Sequence, residues 1–100
     1  MAKGYWIARV DVHDMEGYKS YLAENPGIFQ KFGGKFVIRG GRHTAVEGQS
    51  RSGNAVIEFP DYETALACYR SPEYQENIKR RQPHSIADVV IIEGYGGPQP

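Results

Sequence analysis

The sequence has 100 residues, of which 40% are hydrophobic and 24% are charged, values typical of one folded globular domain. Twelve basic and twelve acidic residues cancel to a net charge of zero, so no net positive field attracts nucleic acid. No apolar run approaches the roughly 20 residues that cross a bilayer. The N-terminus also lacks a signal-peptide core, and these features together predict a cytoplasmic protein.

The N-terminal third of the chain predicts a strand followed by helix. Residues 4–12, "GYWIARVDV", are rich in aromatic and β-branched residues, which favour a strand. Asp14 then offers an N-cap for a helix whose core face would carry Met15, Tyr18 and Leu22. Because proline disfavours helical geometry in the residue before it, Pro26 predicts a helix end at Asn25 and a short second helix afterwards.

The middle of the chain predicts two strands and a capped helix. Residues 35–48, "KFVIRGGRHTAVEG", are interpreted as one long strand with a bulge at its paired glycines, Gly40 and Gly41. Residues 54–59, "NAVIEF", predict the next strand. Asp61 is the predicted N-cap of the helix that follows, with Ala65, Leu66 and Tyr69 facing the core.

The C-terminal third predicts one more helix and a last strand. Ser71 is an N-cap and Pro72 a first helical residue, and residues 87–95, "ADVVIIEGY", predict the strand. The resulting order, β-α-β-β-α-β, indicates an α+β, ferredoxin-like split βαβ fold with an antiparallel four-stranded sheet and its helices on one face. We expect one domain over residues 1–95 and a flexible tail over residues 96–100.

Both faces of the predicted sheet carry apolar side chains. In the third strand Ile57 and Val56 point to opposite faces, and in the fourth strand Val89 and Val90 do the same. The helices can cover only one face, and monomers rarely expose an apolar patch as large as a sheet. The pattern therefore predicts a homodimer joined through the open sheet face.

Four segments resemble a known family: "GYWIARVDV", "GGKFVIRGG", "VIEFPDYETALACYRSPEYQ" and "VVIIEGY". They are similar to the small bacterial domains of the uncharacterised family numbered 1330, within the dimeric α/β-barrel superfamily. The resemblance extends from about Met1 to Tyr95 and implies the same fold and a dimer. Relatives in the wider superfamily include cofactor-free monooxygenases, isomerases and dehydratases, haem enzymes and modules without catalysis, so the resemblance implies no single reaction.

The candidate metal ligands are too widely spaced to predict a metal or haem site. His13, His43 and His84 lack a second ligand at helical or hairpin spacing, and Cys68 is the single cysteine. We therefore expect no cofactor. Cys68 falls at a helical position among small residues, which favours a packing role over a nucleophilic one.

Charged residues within the predicted strands are candidates for ligand binding. Arg9, Arg39, Glu58 and Glu93 either form structural ion pairs or meet a polar ligand, and Arg39 has a planar fork suited to a carboxylate. His43 is a candidate general base if it faces a pocket, and otherwise an exposed strand histidine. With Arg39 as the stabiliser of negative charge, these two form the predicted catalytic pair.

Aromatic residues supply the walls of a predicted pocket. Tyr5, Trp6, Tyr69 and Tyr74 could line it with hydroxyls at the rim, or simply pack in the core. Two functions stay open: a cofactor-independent oxygenase or isomerase acting on a small aromatic or carbonyl metabolite, and a non-catalytic module that binds a small molecule or a protein.

Overall fold

The chain folds into one four-stranded sheet covered on one face by helices. A computed structural model describes residues 2–100. In chain order its elements are β1 (Gly4–Val12), α1 (Met15–Lys31), β2 (Lys35–Arg39), β3 (Gly53–Phe59), α2 (Tyr62–Arg70), α3 (Pro72–Arg81), a 3-10 turn (Gln82–His84) and β4 (Ser85–Glu93). Within the described residues, no helix is long and apolar enough to span a membrane.

The strand order is β2-β3-β1-β4, and every neighbouring pair is antiparallel. The predicted ferredoxin-like α+β fold is confirmed, with two helices, α2 and α3, between the third and fourth strands. β4 begins and ends two residues earlier than predicted, because Ser85 already pairs with Val12.

The helices begin where the sequence predicts. The side chains of Asp14, Asp61 and Ser71 each accept a hydrogen bond from the backbone N–H three residues further along the chain. Pro72 follows as the first residue of α3, where a missing N–H leaves no hydrogen bond unmade. These caps fix the residue at which each helix begins.

The prediction that Pro26 divides the first helical segment is wrong. α1 is one helix of 17 residues with Pro26 inside it. An interior proline costs about 3 kcal/mol, but the buried face continues at helical spacing on both sides of it, through Tyr18, Tyr21, Asn25, Ile28 and Phe29. Of the predicted core face, Met15 and Leu22 are exposed and Tyr18 alone is buried.

The prediction of one long strand over residues 35–48 is also wrong. β2 ends at Arg39, because Gly40 and Gly41 have φ angles of 69° and 95°, in the left-handed region that ends an extended strand. The irregularity between β2 and β3 lies instead between Phe36 and Ile38. Residues 40–52 form a loop without regular strand structure.

Trp6 is the centre of the core between the sheet and the helices. Its ring contacts four aromatic rings, with centroid distances from 4.8 to 5.6 Å: those of Phe29, Phe59, Tyr69 and Tyr74. Its indole Nε1–H donates a hydrogen bond of 2.8 Å to the carbonyl oxygen of Ala65 in α2. Trp6 therefore joins β1 to the helical layer both by packing and by a buried hydrogen bond.

Cys68 lies fully buried in α2 beside this core. Ala65 and Cys68 are the buried residues of α2, while the predicted core residues Leu66 and Tyr69 are half-buried. Burial raises the pKa of the Cys68 thiol to about 12. The thiol is therefore protonated at neutral pH, as expected for a packing residue.

The opposite face of the sheet, which we call the open face, is apolar at its centre. Its exposed hydrophobic side chains come from three strands: Ile7 from β1, Val37 and Ile38 from β2, and Ile86, Val90 and Ile92 from β4. Val90 is 51% exposed, and its register partner Ile7 and its neighbour Ile92 on this face are also apolar. A patch of this kind indicates an interaction surface.

The start of β1 provides a test of the contact between the sheet and α2. A Cβ at Gly4 would collide with the backbone carbonyl of Asp61 and lie 2.7 Å from Tyr62 Cα, whereas a Cβ at Gly27 in α1 would meet no atom within 4 Å. We expect Gly4→Ala to cost about 1–3 kcal/mol of unfolding free energy, and Gly27→Ala to add about 0.4–1 kcal/mol. Urea unfolding followed by tryptophan fluorescence measures both free energies. If the two substitutions change the free energy of unfolding equally, this packing is contradicted.

Candidate functional site

A cavity of about 200 Å³ lies between the sheet and helices α1 and α3. Its floor on the sheet is formed partly by three small side chains, Ala8, Ala55 and Ala87. Ala8 pairs directly with Ala55 across β1 and β3, and Ala87 pairs with Val10 on the other side of β1. Adjacent methyl side chains leave a hollow in the sheet surface, so the cavity follows from the sequence of three neighbouring strands.

Tyrosines from the two helices form the opposite wall. Tyr18 and Tyr21 come from α1 and Tyr74 from α3, and all three are buried. The hydroxyl oxygens of Tyr21 and Tyr74 are 2.6 Å apart, so one hydroxyl donates to the other. Burial raises the pKa of Tyr18 to about 12 and also raises the pKa of Tyr74. Tyr18 and Tyr74 are therefore neutral phenols at neutral pH.

Arg81 is a buried cation in the same wall. Its side chain lines the cavity at the end of α3, only 8% of the residue is exposed, and its guanidinium carbon lies 5.5 Å from the centre of the Tyr21 ring. Across residues 2–100, its Nε is the one buried side-chain nitrogen or oxygen without a hydrogen-bond partner. In that range no aspartate, glutamate or histidine lines the cavity.

A buried pair of asparagines fixes the two helices that carry this wall. The side-chain amide of Asn77 donates to the side-chain oxygen of Asn25 at 2.8 Å and to the carbonyl oxygen of Tyr21 at 3.2 Å. Asn77 is fully buried, so these bonds are shielded from water. They hold α1 and α3 in one relative position, and with them the tyrosines and Arg81.

Arg39 reaches the cavity from the sheet. It pairs with Ala55 across β2 and β3, which places it on the face that the helices cover, and it lines the cavity together with Gly40. Its guanidinium carbon lies 4.3 Å from the centre of the Phe36 ring, and the residue is exposed. Of the predicted binding residues, the structure brings Arg39 and Tyr74 together in this cavity, with Trp6 also in its lining.

Three other predicted binding residues lie on the open face instead. Tyr5 pairs with Glu58 in the sheet register, and its hydroxyl donates to the Glu58 carboxylate at 3.2 Å. Glu58 also forms ion pairs of 3.3 Å with Lys35 and 3.5 Å with Lys3. Partial burial opposes its charge, but these partners outweigh that effect and lower the Glu58 pKa. Arg9 donates to the carbonyl oxygen of Gln49 at 3.1 Å.

Tyr69 and His43 lie outside the cavity lining for different reasons. Tyr69 packs edge-on against Trp6 at 5.6 Å, on the α2 side of the core. His43 is exposed in the loop after β2, with its Nδ1 3.1 Å from the carbonyl oxygen of Gly41. It stands in a loop rather than in the predicted strand, because β2 ends at Arg39.

The three histidines are not gathered into a metal site. His84 Nδ1 lies 3.0 Å from a carboxylate oxygen of Asp14 at the start of α1, and His43 is in the loop after β2. Throughout the part of the chain that the structure describes, no group of three or more histidine, cysteine, aspartate or glutamate side chains is placed to hold a metal ion.

Arg81 was not among the residues that sequence reasoning selected. The run "KRRQ" at residues 79–82 is typical of a solvated helix end, and Arg81 in it is in fact buried. The buried residues of α3 are Tyr74, Asn77, Ile78 and Arg81, which follow the i, i+3, i+4, i+7 spacing of one helical face. That spacing is the signal that places Arg81 toward the core.

Comparisons with known proteins place the chain among small domains of this fold. A family model described as "Domain of unknown function (DUF1330)" matches residues 3–95. No curated protein matches the sequence.

Several solved structures share the fold at low sequence identity. A protein of unknown function from Rhodopseudomonas palustris has 18% identity and a TM-score of 0.75, with 96% of this chain and 85% of that chain covered. SnoaB, described as a cofactor-independent oxygenase from Streptomyces nogalater, has 16% identity and a TM-score of 0.62, with 100% and 97% covered. A protein from Thermobifida fusca, described as a dimeric ferredoxin-like protein of unknown function, has 11% identity and a TM-score of 0.59, with 92% and 89% covered.

Proposed function

The chain belongs to the DUF1330 family, and because that family's function is unknown we propose one from the cavity: binding of a small aromatic or carbonyl-bearing metabolite. The observation that carries the proposal is the cavity of about 200 Å³ with apolar walls and few polar groups. Sites for small ligands in proteins have this composition, since apolar walls supply affinity and a few polar groups fix orientation. Arg39 at the edge of the cavity and Tyr74 in its wall are the predicted binding residues that support it.

The catalytic form of this proposal is a cofactor-independent oxygenation or isomerisation. The fold is shared with a protein described as a cofactor-independent oxygenase, which makes this reaction class a reasonable one to test. Arg39 would stabilise negative charge on the substrate. His43 would act as base if the loop over residues 40–52 brought its ring to the ligand, because the ring lies outside the cavity lining in this structure.

A non-catalytic binding module is the second candidate. The observation that favours it is the absence of any acid or histidine from the cavity lining over residues 2–100, together with raised pKa values at two of its tyrosines. A group that removes a proton from a substrate at neutral pH is then missing from the wall itself. Binding without turnover is the expected outcome for this candidate.

A thermal-shift screen of aromatic acids, quinols and lactones tests the binding proposal. At a ligand concentration of about 100 times Kd, the folded state gains about 2.7 kcal/mol, which corresponds to a rise in Tm of about 10 °C or more for a domain of this size. We expect Ala55→Leu, which fills the floor of the cavity, to abolish the shift. Val46→Leu, in the exposed loop, is the matched control and should leave the shift unchanged.

Two further variants separate binding from turnover. Arg39→Lys should weaken binding because lysine lacks the planar fork, while His43→Gln should spare binding and remove any turnover measured as oxygen uptake or product formation. Failure of every compound to stabilise the wild type would contradict the binding proposal. Binding and turnover that are unchanged in both variants would contradict these two residue roles.

We also propose that the protein is a homodimer joined through the open face. The exposed apolar centre of that face supports this, as does the solved protein of the same fold that is described as dimeric. Polar groups flank the apolar centre at both ends: Glu58 with Lys35 at one end, and Arg51 with Asp11 and Asp88 at the other. A second copy turned about a two-fold axis would bury the centre and leave charges near the rim, the usual arrangement in protein interfaces.

A further inference from the structure

We infer that the ligand of the cavity is a planar monoanion, a carboxylate or an enolate on a flat apolar body, and that its negative oxygens bind the buried guanidinium of Arg81. This inference rests on the proposed binding function and specifies the charge of the ligand and the residue that meets it. It also assigns the main anion contact to Arg81, a residue that the sequence pattern did not select.

Arg81 is a buried charge that lacks a counterion. Only 8% of the residue is exposed, its Nε has no hydrogen-bond partner, and no acidic side chain among the described residues lines the cavity that it borders. Its guanidinium carbon lies 5.5 Å from the centre of the Tyr21 ring, and its side chain also hydrogen-bonds the Tyr74 hydroxyl. Both groups are uncharged, so neither neutralises the arginine. Buried charges in proteins are normally paired, so an arginine kept in this state indicates that its partner comes from outside the chain.

The groups around Arg81 are hydrogen-bond donors, which suit a negatively charged ligand oxygen and not a cation. The hydroxyls of Tyr21 and Tyr74 are 2.6 Å apart, and once one donates to the other, one phenolic hydrogen is left to donate to a ligand. Burial raises the pKa of Tyr74, so its hydroxyl stays protonated and can donate to Tyr21 or to a ligand. A guanidinium fork with an adjacent hydroxyl donor matches the two oxygens of a carboxylate or the single oxygen of an enolate.

The shape of the cavity favours a flat ligand body. The floor consists of alanine methyl groups on the sheet, and the facing wall consists of aromatic rings from α1 and α3. A planar body can contact both surfaces at once, and an aromatic ring or a conjugated carbonyl has this form. The charged end of such a ligand would then point to the end of α3, where Arg81 lies.

Arg39 differs from Arg81 in its surroundings. It is exposed and its guanidinium lies over the Phe36 ring, so water screens its charge. Exposed charges contribute less to pairing than charges that water does not reach. We therefore expect Arg39 to orient the ligand at the edge of the cavity and Arg81 to determine the preference for an anion.

The test compares acids with neutral amides of the same shape. The probes are benzoate with benzamide and 2-naphthoate with 2-naphthamide, titrated into the intact protein by calorimetry. On the wild type we expect at least one acid to bind at least tenfold more tightly than its amide. Arg81→Met should remove that preference by weakening acid binding at least tenfold. Amide binding should stay within about threefold of the wild type, because the unbranched methionine side chain retains much of the packing volume of arginine.

A matched control and a stability measurement distinguish ligand binding from a structural role. Arg70→Met makes the same chemical change at an exposed position on α2 and should alter neither acid nor amide binding. Without ligand, Arg81→Met should raise Tm, because it removes an uncompensated buried charge, whereas loss of a structural arginine would lower Tm. Arg81→Lys should bind acids with intermediate affinity, since it keeps the charge but loses the fork.

Different results would contradict the anionic ligand, the assignment to Arg81 and the binding function. If amides bind the wild type as tightly as acids do, the cavity binds small molecules but the inference about an anion is wrong. If Arg81→Met keeps the preference for acids, or lowers Tm and leaves acid binding intact, the assignment to Arg81 is wrong. If neither acids nor amides bind, the proposed binding function itself fails for aromatic ligands.

Discussion

We expect Val90→Glu to convert the protein from a dimer into folded monomers of 11.2 kDa. Val90 lies midway along β4 on the open face, paired with Ile7 of the interior strand β1 and half exposed in the isolated chain. In a two-fold dimer the change places two carboxylates in one interface, and each unpaired buried charge costs several kcal/mol. Since about 1.4 kcal/mol is a tenfold change in Kd, dissociation should become at least about a thousandfold more favourable.

Light scattering during size-exclusion chromatography measures this effect at micromolar concentration. Val46→Glu is the control, because Val46 is 88% exposed in the loop between β2 and β3 and lies outside the strands of the open face. The variant should remain a dimer with the wild-type elution volume. A wild type that is already monomeric at micromolar concentration, or a Val90→Glu protein that stays dimeric, would show that the open face is not the interface.

Trp6→Ala should be the most destabilising single substitution that we propose for the core. Trp6 is 1% exposed, contacts four aromatic rings and donates the buried hydrogen bond to Ala65. Loss of a buried tryptophan costs about 3–5 kcal/mol, and domains of this size are typically stable by only about 5–15 kcal/mol. Chemical unfolding followed by circular dichroism should show the midpoint move to much lower denaturant.

Tyr95→Ala provides the comparison for an aromatic residue outside the core. Tyr95 is 71% exposed beyond the end of β4, and its truncation should change the free energy of unfolding by no more than about 0.5 kcal/mol. Because the folded state of a dimer depends on concentration, both variants should be compared with the wild type at one protein concentration. Similar losses in the two variants would contradict the central position of Trp6.

The sequence predicted the parts of the fold that depend on local chemistry. The caps at Asp14, Asp61 and Ser71 each accept a hydrogen bond from an N–H three residues further on, so the local sequence is enough to predict them. The alternation in β1, β3 and β4 likewise predicted both sheet faces. The prediction at Pro26 is wrong because packing on both sides of the proline outweighs its local cost, and no local rule includes that packing.

The candidate site was predicted less well, because it depends on which helix faces meet. Arg39 and Tyr74 reach the cavity, but Tyr5, Arg9 and Glu58 lie on the far side of the same sheet. For Tyr5 and Trp6, neighbours in sequence, the period of two in a strand decides between the two faces. Arg81 required a further step, since the spacing within α3 places it on the same helical face as Tyr74 and Asn77, but the packing of α3 against α1 is what buries that face.

The central position of β1 also affects how the chain can fold during synthesis. β1 is the first of these four strands to be made, yet its two neighbours are β3, about fifty residues later, and β4, whose last residue is Glu93. Pairings between such distant segments close slowly, typically in milliseconds to seconds for sheets rich in them. Until β4 leaves the ribosome one edge of β1 stays unpaired and its apolar residues stay accessible, which exposes the nascent chain to aggregation and to chaperones.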